Sequence, residues 1–398
     1  MKNWLKICSL VWALTAFSSM IFAHEGHADH KGDHLAISVT ADSQGVIWRA
    51  SVNDGIVYVD NSVDLGQTFS TPLKVNLNPM KVAASGEARP KIAVSPEGNI
   101  YLTWTEALKK PYTGYIWFAR SVDHGKSFEM PYIVHQDRAE ITHRFDSLNV
   151  NDDGKITVVW VDKRDLITAK AAGKKYDGAA IYYAVSTNQG KSFEPEKKLA
   201  DSSCECCRIA LTNKPDGTVV AMWRHVFAGS ERDHAIAEIK ENKQSPTIIR
   251  ASYGHWKIDG CPHHGGALAY GQGFGYHMAY FDGAGDQPSL MVARMDGEAW
   301  VSSPPKRFGN MQHSAGHPDI FSSGDNVWLV WREQQKGLSE IYSMTSADGG
   351  KHWTTPVAAL TVKGQMDYPQ LIKIKEKVYV AVNTDTEGFK LKLIPITD

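Results

Sequence analysis

The stretch Arg89-Pro-Lys-Ile-Ala-Val-Ser-Pro-Glu-Gly-Asn-Ile-Tyr-Leu-Thr-Trp104, followed by the polar turn Ser121-Val-Asp123-His-Gly125-Lys-Ser-Phe128, decides the architecture because it repeats. Two apolar runs joined by a Gly/Asn turn read as an antiparallel strand pair, and the later turn closes a second pair. Working outward, related units begin at His34 (HLAISVTADSQGVIW), Arg144 (RFDSLNVNDDGKITVVW), Cys207 (CRIALTNKPDGTVVAMW), His264 (HGGALAYGQGFGYHMAY), His317 (HPDIFSSGDNVWLVW) and Tyr368 (YPQLIKIKEKVYVAV). Units that return about every 50 to 60 residues fall in the range of propeller blades. The expected fold is all-β, a β-propeller of seven blades with six as the alternative, its last blade short of a clear fourth strand. An N-terminal strand completing that blade would remove an exposed sheet edge.

The turn between third and fourth strands recurs as Ser62-Val-Asp64-Leu-Gly66 to Phe69, as Ser186-Thr-Asn188-Gln-Gly190 to Phe193 and as Ser346-Ala-Asp348-Gly-Gly350 to Trp353. The carboxylate or amide accepts backbone N–H groups across the turn, glycine permits positive φ, and the aromatic packs between blades. These turns resemble the Asp box, or BNR repeat, of sialidase-like propellers, and the resemblance spans the chain from about residue 34 onward. It implies a structural role for the turns and puts the chemistry on the opposite face of the wheel.

Lys2 and Lys6 precede an apolar stretch from Ile7 to Phe22, and Ala23 is a small residue suited to a cleavage site. Residues 1–23 therefore read as a signal peptide, 24–33 as a His-rich leader and 34–398 as one propeller domain, which predicts a periplasmic or secreted protein. No later run approaches the roughly 18 apolar residues of a spanning helix. A formal net charge of −1 without long charged blocks argues against nucleic acid and anionic membranes as partners.

Residues just before each innermost strand, and the loops between second and third strands, converge around the central channel. Those positions hold Arg89, His143, Arg144, Cys204, Cys206, Cys207, Arg208, Cys261, His263, His264, His313, His317 and Tyr368. Cys204-Glu-Cys206-Cys207 and Cys261-Pro-His263-His264 open neighbouring units, and thiolates with imidazoles suit a soft metal, copper foremost and zinc second. Met311, His313 and His317 would extend the ligand set. The leader His24-Glu-Gly-His27-Ala-Asp-His30-Lys-Gly-Asp-His34 resembles those of periplasmic copper-handling proteins, with His24 and His27 as ligands. The leading expectation is an exported propeller that binds metal through this cluster, in metal handling or tolerance beside other periplasmic metal-handling proteins. Four cysteines after the signal equally suit structural disulfides, and adjacent cysteines bridge each other only with strain.

The sialidase resemblance implies a second function, hydrolysis of a small glycan ligand. Arginines would clamp a substrate carboxylate, a Tyr beside a Glu would act as nucleophile, and an Asp would serve as acid/base. Arg89, Arg144, Arg208 and Tyr368 are the candidates, with Glu106 or Glu333 as the carboxylate. The first unit offers His34-Leu-Ala-Ile where sialidases carry Phe/Tyr-Arg-Ile-Pro. The third expectation is a non-catalytic ligand- or protein-binding propeller whose cysteines are staples.

Overall fold

The computed structural model describes residues 35–205, 207–240, 246–258, 260 and 263–396. The signal, the leader with His24 and His27, Cys206 and Cys261 lie outside the described residues. The chain is a seven-bladed β-propeller: six four-stranded antiparallel sheets and a seventh of three strands. The sheets occupy residues 38–74, 91–133, 143–203, 210–250, 267–308, 316–363 and 370–393, and are called blades 1 to 7. Their innermost strands, Ser38–Ala41, Lys91–Val94, His143–Val150, Ala210–Asn213, Ala267–Gly271, Gly316–Ser323 and Gln370–Ile374, begin within a few residues of the starts read from the repeat. No helix among the described residues is long and apolar enough to cross a membrane.

The second strands of blades 2 to 5 are the most deeply buried of their sheets, and the fifth or sixth residue of the second strand is a large aromatic in five blades: Trp104, Trp160, Trp223, Tyr280 and Trp331. Positions two apart share a face of a strand, so a carboxylate two residues beyond the Trp can cap its indole. Asp162 accepts from Trp160 Nε1 at 2.9 Å and Glu333 from Trp331 Nε1 at 2.8 Å. Each cap spares a fully buried donor the cost of going unpaired, roughly 1–3 kcal/mol.

The four Ser-x-Asp/Asn-x-Gly turns share one hydrogen-bond scheme. In blade 2, Ser121 Oγ accepts from Gly125 N at 2.9 Å and donates to Asp123, which also accepts from Lys126 N and Ser127 N. Each turn's glycine also leans on the preceding blade. A Cβ on Gly125 would lie 2.5 Å from Trp48 of blade 1, and one on Gly190 would lie 2.5 Å from Phe118 of blade 2. Gly350 meets His277 of blade 5 in the same way, and Gly66 meets Phe389 of blade 7. The turn aromatics follow, with Phe193 on Phe118 at 5.0 Å and Phe69 on Phe389 at 5.1 Å.

Among the described residues no N-terminal strand pairs with blade 7, so the expected completing strand is not seen there. The seam between blades 7 and 1 is closed by side chains. Ile37, Val39 and Ile47 pack on Ile372, Ile374 and Ala381, and Ile37 N donates to Asp367 at 3.0 Å.

Gly125→Ala is expected to destabilise the protein by ~2 kcal/mol, because the Cβ meets Trp48 and Ile100 and the backbone sits at φ 77°. Urea denaturation reads this directly, and a midpoint equal to wild type would contradict interblade packing through the glycine.

Candidate active site at the channel mouth

Seven strand starts meet at the mouth, and their carbonyls need donors where little water reaches. Arginines supply them from blade to blade. Arg89 donates to Gly86 O at 2.8 Å, to Ile37 O at 2.7 Å and to Asp367 Oδ2 at 2.6 Å. Arg208 donates to Gly266 O at 3.0 Å and Pro318 O at 2.6 Å. Arg224 donates to Arg232 O and Phe281 O, both at 2.8 Å, and Arg332 to Met366 O at 2.9 Å. Among the described residues this leaves Arg89 Nη2, Arg208 Nη1 and Arg332 Nη2 without a protein acceptor.

Those three guanidinium groups surround Tyr368 and Glu87. Tyr368 lies 5.4 Å from the Arg89 guanidinium carbon and 4.8 Å from that of Arg332, measured to its ring centre. His317 stacks on its other side, 3.4 Å between ring centres and 8° from parallel. His317 Nδ1 is 2.9 Å from Glu87 Oε1, and Arg208 Nε is 3.6 Å from Glu87 Oε2. Glycines allow this crowding: a Cβ on Gly86 would fall 2.5 Å from the Tyr368 ring, and one on Gly265 would fall 2.2 Å from Arg208. His317 itself holds φ 53° within a β-bulge of the innermost strand of blade 6. Bulges of this kind re-aim a side chain, here towards the mouth.

Protonation states follow from burial and neighbours. Burial alone would raise the Glu87 pKa, but Arg208, the His317 hydrogen bond and Arg89 outweigh it and hold the group well below the usual carboxylate range. Burial pushes His317 down to about 4 against the pull of Glu87, and His264 down to about 3. Neutral His317 therefore donates Nδ1–H to Glu87 and keeps Nε2 as a proton acceptor. Burial raises Tyr368 while Arg332 and Arg89 pull the other way. Burial also brings Lys91, hydrogen-bonded to Arg89 O, down to about 8. Below the mouth the channel opens into a cavity of about 460 Å³ lined by Leu211, Tyr270, Asp319, Phe321 and Leu371.

The sequence-derived candidates divide. Arg89, Arg208 and Tyr368 come together, joined by His317 from the metal set. Arg144 instead lies over the rings of Phe145 at 5.0 Å and Tyr112 at 6.0 Å, and Arg332 takes the third guanidinium position. Glu106 accepts from Trp117 Nε1, and Glu333 caps Trp331 and accepts from Asn310 N, so the carboxylate beside Tyr368 is Glu87. Glu87 was missed because it stands two residues ahead of Arg89, in a one-turn 3₁₀ segment Gly86–Ala88 that breaks the strand pattern. Its signal is Gly86, needed where Tyr368 presses close.

Of the proposed metal ligands, Cys204 and Cys207 are buried at 1 % and 3 % exposure within an apolar cluster. Cys204 N donates to Arg224 O, and Arg224 donates to His264 O at 3.3 Å, which joins the two motif segments. His264 stacks on Phe281 at 4.2 Å, and its Nδ1 is buried without a hydrogen bond. His263 is exposed at φ 51°, and His313 Nδ1 lies 3.4 Å from Glu333. The described residues whose ligand atoms lie within 4.8 Å of one another are a different set, Glu231, Asp233 and His255. That set already holds the Arg250 guanidinium, with Nη2 3.3 Å from Asp233 and against Glu231.

No protein-family profile matches the chain, and no curated protein matches it. Solved structures do. The polysaccharide lyase Uly1 aligns with a TM-score of 0.57 at 9% identity, over 90% of each chain. The Hadza microbial sialidase Hz136 aligns at 0.53 and 13%, over 89% of this chain and 74% of its own. Virginiamycin B lyase from Staphylococcus aureus aligns at 0.52 and 13%, over 92% and 96%. At such identities the likeness establishes the fold, a sialidase-like propeller that glycosidases and lyases share.

The buried neutral histidines set a stability profile. His317, His225 and His277 titrate near 4 when folded against 6.5 ordinarily, so between those values the unfolded chain binds more protons. Stability is expected to hold above pH ~6.5 and to fall as pH drops towards about 4. Thermal unfolding across that range tests it, and a constant melting temperature from 6.5 to 4 would rule it out.

Proposed function

We propose that this chain is an exported, carbohydrate-active propeller that takes an acidic sugar at the channel mouth and cleaves its glycosidic bond in the manner of a sialidase-type glycoside hydrolase. Tyr368, held between neutral His317 and the guanidinium groups of Arg89 and Arg332 with Glu87 alongside, carries the reading. The spare nitrogens of Arg89, Arg208 and Arg332 suit a sugar carboxylate, since guanidinium recognises carboxylate through paired N–H donors. Tyr368 is protonated at rest; as its oxygen bonds to the anomeric carbon the bond to the leaving oxygen breaks, the phenol proton passes by way of His317, oriented by Glu87, to that oxygen, and water then releases the sugar and returns a proton to Tyr368. A neutral phenol approaching an anionic sugar avoids the repulsion that a carboxylate nucleophile would meet.

Sialosides and uronide glycosides are the substrates to screen. Tyr368→Phe removes only the hydroxyl, and turnover should fall by roughly 10²-fold or more with the fold intact. Turnover unchanged in Tyr368→Phe would remove the tyrosine from the chemistry. Release of unsaturated uronate in place of a hydrolysed sugar would turn the assignment to elimination.

A soft-metal site is the second reading, favoured by the buried, unbonded Nδ1 of His264 and its link through Arg224 to the Cys204–Cys207 segment. Copper or zinc would be held by these residues together with Cys206, Cys261, His263 and His317. Mass-spectrometric metal analysis of exported protein should then find about one ion per chain, lost in His264→Ala. Protein that stays metal-free after incubation with copper(I) and zinc would dismiss this reading.

A further inference from the structure

The near-zero net charge of the chain conceals a polarised rim around the mouth. Seven loops between second and third strands ring the mouth together with the connections between blades, and blades 2 and 3 contribute the loops 108–113 and 163–178. These two carry Lys109, Lys110, Lys163, Arg164, Lys170, Lys174 and Lys175 against Asp165 and Asp177, seven cations to two carboxylates. The other five, residues 54–55, 225–233, 283–288, 336–337 and 385–387, hold Arg232 and Lys336 against Asp54, Glu231, Asp233, Asp286, Asp385 and Glu387, two cations to six carboxylates. The basic loops are neighbours: Thr142 Oγ1 donates to Tyr112 O at 2.7 Å, and Thr142 O accepts from Lys163 N at 3.1 Å.

The blade 3 loop holds helix α1 (Arg164–Ala171), which buries no residue and is fixed by polar contacts alone. Arg164 binds Asp162 and Glu196, and Asp165 accepts from Tyr182 and Lys198. Those contacts use up the inward charges and leave Lys170, Lys174 and Lys175 exposed at the far end, where among the described residues only Lys175 is near a carboxylate, Asp177 at 3.2 Å. Lys109 and Lys110 are exposed; the Lys110 N–H donates to Glu140 Oε1 at 3.0 Å, and the adjoining connection 134–142 adds Asp137 and Glu140 against Arg138. Lys163 pairs with Glu205, three residues before Arg208 of the mouth, which ties the blade 3 loop to the connection that carries Arg208.

We propose that the ligand is a linear polyanionic saccharide, which reaches the mouth across the lysine strip of blades 2 and 3 and is kept off the acidic loops opposite. This rests on the acidic-sugar reading above and extends it from one residue to a chain. A single sugar bound at Tyr368 needs no charge so far from the mouth, whereas a polymer places further anions over Lys170, Lys174 and Lys175 and gains attraction sensitive to salt.

Fluorescent polygalacturonate and heparin, with galacturonate monomer and duplex DNA as comparators, are titrated against the full exported chain, the triple variant Lys170→Glu/Lys174→Glu/Lys175→Glu and the opposite-rim variant Lys336→Glu. At least one polymer should bind, the triple variant should weaken it by about ten-fold or more with a shallower salt dependence, and Lys336→Glu and monomer binding should be unaffected. The proposal is overturned if neither polymer binds, if the triple variant binds as wild type, or if DNA binds through the same lysines as tightly as the polymers. Turnover of small acidic glycosides by a protein that ignores both polymers would keep the hydrolase reading and sink this one. Lysine-dependent polymer binding with turnover indifferent to Tyr368→Phe would do the reverse.

Discussion

Bringing seven sheets onto one axis crowds the carbonyls that end each strand connection into a space with little water. The donors are guanidinium groups, each reaching from its own blade to another: Arg89 to the residues leading into blades 7 and 1, Arg208 to blades 5 and 6, Arg224 to blade 5. Since a guanidinium has more donors than these carbonyls require, a structural necessity leaves cationic N–H groups in hand at the mouth. Site and scaffold are thus built from the same side chains. The burial that keeps His317 neutral and raises Tyr368 comes from the same crowding.

The fold was legible because it rests on local, repeated chemistry. Polar turns in four blades, apolar runs of strand length in all seven and aromatics near one recurring position in five announce the blades without knowledge of one another, and the last blade reads as short of a clear fourth strand, as the structure has it. The site was legible only in part. Arg89, Arg208, His317 and Tyr368 stand at repeat starts and could be read from position alone. Glu87 lies ahead of such a start, and Arg332 inside the second strand of blade 6, so their convergence on Tyr368 depends on the ring closing. Glu106 and Glu333 misled because a carboxylate near a strand end looks free in sequence, whereas indole N–H groups of Trp117 and Trp331 claim them.

Cysteines and histidines that share a motif part company in space. His317 joins Tyr368 and Glu87, His313 turns to Glu333, and Cys204 and Cys207 pack into an apolar cluster between blades 3 and 4. Residue type in a conspicuous spacing suggested one centre. The described members take different neighbours, though Arg224 links the Cys204 segment to His264 and His264 lies 5.6 Å from His317 between ring centres.

The turn glycines give the wheel a direction. Blade 2 rests on blade 1, blade 3 on blade 2, blade 6 on blade 5 and blade 1 on blade 7, always the later on the earlier around the circle, like overlapping roof tiles. Each tile is held down by an aromatic or imidazole ring of its neighbour, fitted against a glycine that has no side chain to yield. A disturbance in one blade should therefore loosen the blade that overlaps it before the one beneath. At these four seams the wheel has a sense of rotation, although its seven sheets share nearly the same architecture.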